Sequence, residues 1–140
     1  MQVVLLAGGL GSRLAEETVR IPKPMVEVGQ RPIMLHVMDI YSRWGFGDFI
    51  IACGYKSMLI KQYFRDIHLL SKDFTVSLRD GQMTFAPSEA ANWKVSVVDT
   101  GEKTMTGGRL LRLKEWLKNE TFMVTYSDGV GNIDIEKLLQ

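Results

Sequence analysis

Gln2-Val3-Val4-Leu5-Leu6-Ala7-Gly8-Gly9-Leu10-Gly11-Ser12-Arg13-Leu14 is the stretch whose reading decides the fold. Gln2–Leu6 reads as a short, continuous apolar run. A strand with one wet face alternates apolar and polar residues. A strand buried on both faces, as in a parallel sheet covered by helices, has no need to. The run ends at Gly8, Gly9 and Gly11, which free the backbone for a tight turn.

Working outward, Glu16–Pro24 holds Pro22 and Pro24 and reads as an irregular loop. Pro32 suits the first turn of a helix. Ile33, Val37, Ile40, Tyr41 and Trp44 then recur at helical spacing, and Gly45 and Gly47 mark the stop. Asp48–Cys53 is a second buried strand. Lys56–Ile67 reads as an amphipathic helix with Leu59, Ile60, Tyr63, Phe64 and Ile67 facing inward. Phe74–Leu78 and Met83–Phe85 flank an Asp-Gly turn and predict a hairpin. Lys94–Asp99 is a further strand and Thr104–Gly108 a small-residue turn. Arg109–Lys118 reads as a helix with Leu110, Leu113 and Leu117 on one face. Thr121–Tyr126 is the last strand, ending in Ser127-Asp128-Gly129, and Asp134–Gln140 opens a further helix. Strands alternating with helices imply right-handed crossovers and an α/β, Rossmann-like, mainly parallel sheet flanked by helices. There is no internal repeat and no low-complexity stretch.

Composition narrows the function classes. The chain has 140 residues, 46% apolar and 24% charged, with 17 basic and 16 acidic side chains for a net charge of +1. That balance gives no field of the strength nucleic acid or a membrane surface requires, so a bound anion must be held by local groups. The single cysteine, Cys53, excludes an intrachain disulfide and fits a reducing compartment. Met1–Leu6 has no basic leader, and no apolar run approaches the roughly 20 residues that span a bilayer. The expectation is a cytoplasmic protein.

In an open parallel sheet, ligands bind at the carboxyl ends of strands. The glycine loop stands at such an end, where backbone N–H groups can approach phosphate oxygens. It is not a dinucleotide fingerprint, because Leu14 occupies the place of the third glycine, and this weakens a dehydrogenase reading. It is not a P-loop either, because Gly11 runs into Ser12-Arg13 rather than Lys-Ser/Thr. What remains is a glycine loop with a fixed cation, Arg13, able to fork onto a phosphate. Lys23, between two prolines, can bring a second charge. The bland alternative is a tight turn with solvated cations. Asp128 lies at the end of a buried run on the same sheet edge. There it can hold Mg²⁺, which takes one or two carboxylates plus substrate phosphates. Alternatively, Ser-Asp-Gly is simply turn chemistry.

Leu6–Leu14, Pro22-Lys23-Pro24-Met25-Val26 and Asp128-Gly129 together resemble the sugar-phosphate nucleotidyltransferases. Glu16-Glu17-Thr18, Cys53-Gly54-Tyr55-Lys56, Val98-Asp99-Thr100-Gly101 and Met105-Thr106-Gly107-Gly108-Arg109-Leu110 are most similar to its glucose-1-phosphate cytidylyltransferase branch. The resemblance covers essentially the whole chain. It implies a nucleotide-diphospho-sugar transferase fold, of which residues 1–140 form the N-terminal, nucleotide-binding part, apparently truncated, with the C-terminal half absent. It also implies a partner pair, CTP and glucose 1-phosphate, and products CDP-glucose and pyrophosphate. CDP-glucose belongs to nucleotide-sugar and surface-polysaccharide biosynthesis. Carried over residue by residue, Leu6, Ala7, Gly8, Gly9, Leu10, Gly11, Ser12 and Arg13 hold the nucleotide and its phosphates. Lys23 meets the α-phosphate, Thr104 and Arg109 contribute to the nucleotide pocket, and Asp128 binds Mg²⁺. Arg13, Lys23 and Asp128 would be the catalytic set, and the full-length protein would be a homo-oligomer.

Three departures stand out. Ser12 replaces a usual Thr, Ile21 a usual Lys, and Ser127 a Gly whose loss would crowd the backbone beside the metal. The relatives are about twice as long, and their second half carries a second metal carboxylate. A non-catalytic nucleotide-binding or assembly module is therefore a competing expectation, as is another base or sugar. His36 and His68 have no partners at metal spacing and read as structural. Cys53 reads as a small core residue, the eight methionines as scattered, and Trp44, Trp93 and Trp116 as packing anchors. Trp93 has a subunit contact as its alternative.

Overall fold

The computed structural model describes residues 1–9, 21–87 and 91–140. Four parallel strands form the centre: β1 (Gln2–Ala7), β4 (Asp48–Cys53), β7 (Lys94–Asp99) and β8 (Met123–Tyr126), in the order β7-β4-β1-β8. Val3 lies opposite both Phe49 and Met123, and Leu6 opposite both Ala52 and Tyr126. All six residues of β1 are buried. Its alternating side chains serve two cores. Val3, Leu5 and Ala7 join Phe49, Ile51, Ile60 and helix α1 (Ile33–Arg43) on one face. Val4 and Leu6 join Ile50, Ala52 and Leu113 on the other. A strand with a core on each side has no wet position, which is why Gln2–Leu6 shows no alternation.

A short 3₁₀ turn (Lys23–Met25) and a two-residue hairpin, β2 (Glu27–Val28) with β3 (Arg31–Pro32), precede α1. The hairpin carries too few residues for a periodic signal and the sequence reading missed it. α1 matches the predicted helix, but its buried face is turned. Met34, Leu35, Val37, Met38 and Tyr41 are buried, while Ile33 and Ile40 are half-buried and Trp44 is exposed. The unbranched methionines, scattered in sequence, fill the irregular space over the sheet. α2 (Ser57–Leu70) lies where a helix was expected. Of its five expected inward residues only Ile60 is fully buried; Leu59, Tyr63 and Phe64 are half-buried and Ile67 is exposed.

β5 (Phe74–Val76) and β6 (Met83–Phe85) form the expected antiparallel hairpin, separate from the main sheet. α3 (Thr106–Arg112) corrects the reading of 104–118. Gly107 and Gly108, expected in a turn, lie inside the helix, and regular helix stops at Arg112 rather than Lys118. Close packing explains the glycine: a Cβ on Gly108 would lie 2.9 Å from Thr104 Cγ2. Beyond Arg112 the chain continues in tight turns, with the Leu117 amide still donating to the Leu113 carbonyl at 3.1 Å. Leu110, Leu113 and Leu117 therefore keep a common core face without one continuous helix. A last helix, α4 (Ile135–Leu138), is capped by Asp134, whose carboxylate accepts from the Lys137 amide. Among the described residues no helix is long and apolar enough to cross a membrane.

Candidate nucleotide site

β1 and β8 are neighbours and run the same way, so Ala7-Gly8-Gly9 and Ser127-Asp128 emerge at one sheet edge. Between them and the loop after β7 opens a cavity of about 510 Å³. Leu6, Ala7, Gly8, Gly9, Lys23, Thr104, Arg109 and Asp128 all line it, eight of the twelve positions proposed from sequence. The remaining four, Leu10, Gly11, Ser12 and Arg13, lie outside the described residues.

Lys23 is held at the mouth by its prolines. Pro22 is extended, and its carbonyl accepts from the Met25 amide at 2.8 Å, closing a 3₁₀ turn. From there Lys23 Nζ reaches Asp128 Oδ2 at 2.6 Å. Both side chains are partly open to solvent, 36% and 25% exposed, which leaves the pair accessible to a ligand. One cation and one carboxylate, 105 positions apart in sequence, thus share a single point on the cavity rim.

Ser127 behaves differently from the expectation that it crowds the backbone. It is fully buried, and both its hydroxyl (2.7 Å) and its amide (3.3 Å) donate to the Leu6 carbonyl. The hydroxyl thereby ties the end of β8 to β1 and fixes the backbone that carries Asp128.

Arg109 lines the cavity wall, but its guanidinium is largely committed inward. Nη1 donates to the Cys53 carbonyl (3.0 Å) and to Thr100 Oγ1 (2.8 Å). Nη2 donates to the carbonyls of Gly8 (2.9 Å) and Glu102 (3.2 Å). Burial is the main influence on the group and pulls its pKa below the ordinary arginine value. The guanidinium fits only because two neighbours lack side chains. A Cβ on Gly8 would lie 2.0 Å from Arg109 Cζ, and one on Gly54 would lie 2.6 Å from Nη1. One arginine thus joins the carboxyl ends of β1, β4 and β7. Thr104 also lines the cavity and is half-buried; its Oγ1 lies 2.6 Å from the place of a Cβ on Gly101.

Glu102, Lys103, Met105, Thr106, Pro24 and Tyr126 also line the cavity, and the sequence reading did not name them as site residues. Their signal was available: Gly101–Thr106 follows the carboxyl end of a parallel strand, where such sheets bind ligands. Lys103 adds an exposed cation to that wall. Of the two histidines read as structural, only His36 has a structural partner among the described residues. His36 Nε2 lies 2.8 Å from the Val28 carbonyl, and His68 is exposed on α2. Cys53 is buried in the core, and burial, with a contribution from Asp99, pushes its thiol up to about 12. Trp93 packs edge-to-face on Phe49 and donates to Ser42 Oγ at 2.8 Å, an anchor as expected. Trp44 and Trp116 are substantially exposed and are not anchors. Among the described residues there is no cluster of three or more metal-ligating side chains.

Comparison with known proteins agrees with this architecture. Residues 2–109 match the family model described as nucleotidyl transferase. Over 137 residues the chain is 49% identical to glucose-1-phosphate cytidylyltransferase of Salmonella typhimurium, covering 97% of this chain and 53% of that protein. It is 38% identical over 139 residues to the probable glucose-1-phosphate cytidylyltransferase of Bacillus subtilis, covering 99% and 54%. The structure resembles HddC from Yersinia pseudotuberculosis, solved in complex with GMP-PN, with a TM-score of 0.69 and 26% identity over 99% of this chain and 52% of that one. The chain spans about half the length of these relatives. On the family match and the shared parallel sheet, the chain belongs to the nucleotidyl transferase family.

Proposed function

We propose that this chain provides the nucleotide-binding part of an enzyme that transfers a cytidylyl group from CTP to glucose 1-phosphate, giving CDP-glucose and pyrophosphate. The observation that carries this reading is the cavity at the ends of β1 and β8, with Lys23 and Asp128 paired on its rim. The choice of CTP and glucose 1-phosphate rests on the 49% identity to the Salmonella enzyme.

The chemistry follows from positioning and charge. A sugar-phosphate oxygen attacks the α-phosphorus of the triphosphate in line, and pyrophosphate leaves. Little covalent work falls to the protein. The amides after β1 face the phosphates. Lys23 exchanges Asp128 for an α-phosphate oxygen, and Arg13 offsets charge on the leaving group. A partly exposed ion pair contributes only about 1 kcal/mol or less, so this exchange costs little. Asp128, whose carboxylate is then free, fits Mg²⁺ as a single protein ligand. Mg²⁺ keeps several waters and takes its remaining oxygens from phosphates. When bound, the ion would neutralise charge on the polyphosphate. Arg109 holds the Gly8 carbonyl and so orients the first phosphate-binding amides.

A second reading is a nucleotide-binding module without turnover. It is favoured by Asp128 belonging to no cluster of three or more metal-ligating side chains among the described residues. A pyrophosphate-release assay with CTP, UTP and dTTP and several sugar 1-phosphates, run beside CTP-binding calorimetry, decides between them. Release with CTP and glucose 1-phosphate supports the enzyme. CTP binding without release supports the module. Preference for another nucleotide or sugar corrects the substrates. No nucleotide binding at all would remove both readings.

A further inference from the structure

A second cavity, of about 540 Å³, opens between α1, α2 and β7. It shares no lining residue with the nucleotide cavity. Trp93 and Val95 line it at the amino end of β7, whereas the nucleotide cavity takes Glu102–Thr106 beyond the carboxyl end. The sequence of α2 explains why the space exists. Tyr63, Phe64 and Ile67 belong to the apolar stripe that reads as core-facing, yet only Ile60 of that stripe is fully buried. Tyr63, Phe64 and Ile67 line this cavity instead, with buried Leu35 of α1. The aromatic lining is held in place. Tyr63 and Phe64 meet edge-to-face with centroids 5.4 Å apart, and the Trp93 indole is fixed by Phe49 and Ser42.

The polar lining is small: Arg31, Asp39, His68 and Ser71. Arg31 Nη1 donates to Asp39 Oδ2 at 2.8 Å, so the carboxylate orients the guanidinium. Among the described residues no other donor of Arg31 has a partner. A guanidinium with donors to spare suits the paired oxygens of a carboxylate or phosphate. The phenol of Tyr63, its pKa raised mainly by burial, also feels the Arg31 charge. Small-molecule sites have this form: a cavity of roughly 300–1,000 Å³, apolar and aromatic walls, and a few placed polar groups. We infer that this cavity is a second ligand site, which takes a planar aromatic anion. One or two fused rings lie against Tyr63, Phe64 and Trp93, and the acidic group meets the spare donors of Arg31. The site does not depend on the activity proposed for the nucleotide cavity.

Amide NMR spectra of the whole chain, titrated with naphthoate and with naphthyl phosphate, test this. Naphthol and acetate serve as the two halves apart, and far-UV circular dichroism controls for folding. At least one of the two anions should give saturable shifts in residues 31–39, 63–71 and 93–95, with a Kd of about 1 mM or tighter. The tighter of the two tells carboxylate from phosphate. Added CTP should not compete. Naphthol should bind at least about tenfold more weakly than the better anion. Arg31→Gln, on an exposed side chain, should weaken the anion by about tenfold and leave naphthol unchanged. Phe64→Ala should weaken both. No saturation by either anion at about 10 mM overturns the inference. Shifts centred on Gly8 and Asp128 overturn it too, as does an anion affinity indifferent to Arg31→Gln or no greater than that of naphthol.

Discussion

Gly8→Ala is the sharpest test of how the glycine loop is anchored. The added Cβ would lie 2.0 Å from Arg109 Cζ and 2.3 Å from both Nη atoms. Reaching an ordinary contact requires the guanidinium to retreat by about 1.4 Å, enough to break hydrogen bonds of 2.8–3.2 Å. The guanidinium ends a flexible side chain, so it can move, but moving costs it partners. Bonds to a charged group contribute about 1.5–3 kcal/mol each. Losing two of four, with cavity water replacing part of the loss, gives a destabilisation of about 3 kcal/mol. For a domain of this size that is a fall in Tm of roughly 10 °C. Arg109→Ala should cost about 2–4 kcal/mol, because buried carbonyls lose their donor. The decisive measurement is the double mutant. With the guanidinium gone, the three atoms nearest the added methyl are gone with it, so Gly8→Ala should cost less than about 1 kcal/mol in the Arg109→Ala background. Thermal and urea unfolding of all four proteins gives the coupling energy directly. Strict additivity of the two changes would show that Gly8 is glycine for some reason unconnected with Arg109.

Other expectations follow from the same geometry. Asp128→Asn should abolish the Mg²⁺ dependence of CTP binding in a metal titration while lowering Tm by no more than a few degrees, since the pair it breaks is partly exposed. Lys23→Ala should lower kcat/KM for pyrophosphate release by about 100-fold or more if the lysine meets the reacting phosphate; an unchanged value would remove that role. The Cys53 thiol, pushed up to about 12, should resist a thiol reagent at pH 8 in the native protein and react on unfolding. Asp99 is held below the ordinary carboxylate range by the Gly101 amide first and then by the Ser57 hydroxyl. Its stabilising contribution is therefore present above the unfolded value near 3.8 and is lost as pH falls through the lower folded value. Asp99→Asn should thus flatten the difference between urea midpoints at pH 6 and pH 3.

The sheet was readable in sequence because its signals are local. An unalternating run such as Gln2–Leu6 or Asp48–Cys53 announces two-sided burial. The cavity was readable for the same reason: carboxyl ends of parallel strands gather on one edge, which brings Gly8 and Asp128 together from opposite ends of the chain. What could not be read depends on three-dimensional fit. Gly107 and Gly108 carry the chemistry of a turn, yet close packing on Thr104 places them in α3. Gly8 was read as freeing a backbone for phosphate, whereas the structure shows it also making room for an arginine 101 positions away. Ser127 looked like an obstacle because the acceptor for its hydroxyl, the Leu6 carbonyl, lies 121 positions away. The buried face of α1 was misjudged because Met34 and Met38 adapt to gaps that periodicity alone does not reveal.

The place of β1 between β4 and β8 bears on how the chain is made. Strand β1 is buried throughout, yet one of its two neighbours is synthesised more than a hundred residues later. Until then half of its hydrogen-bonding edge stays open to stray pairing. Contacts so distant along the chain close slowly, and a nascent or diluted chain spends that interval vulnerable to clumping. Production at low temperature or beside a holdase should therefore raise the yield of folded protein more than any change on its surface.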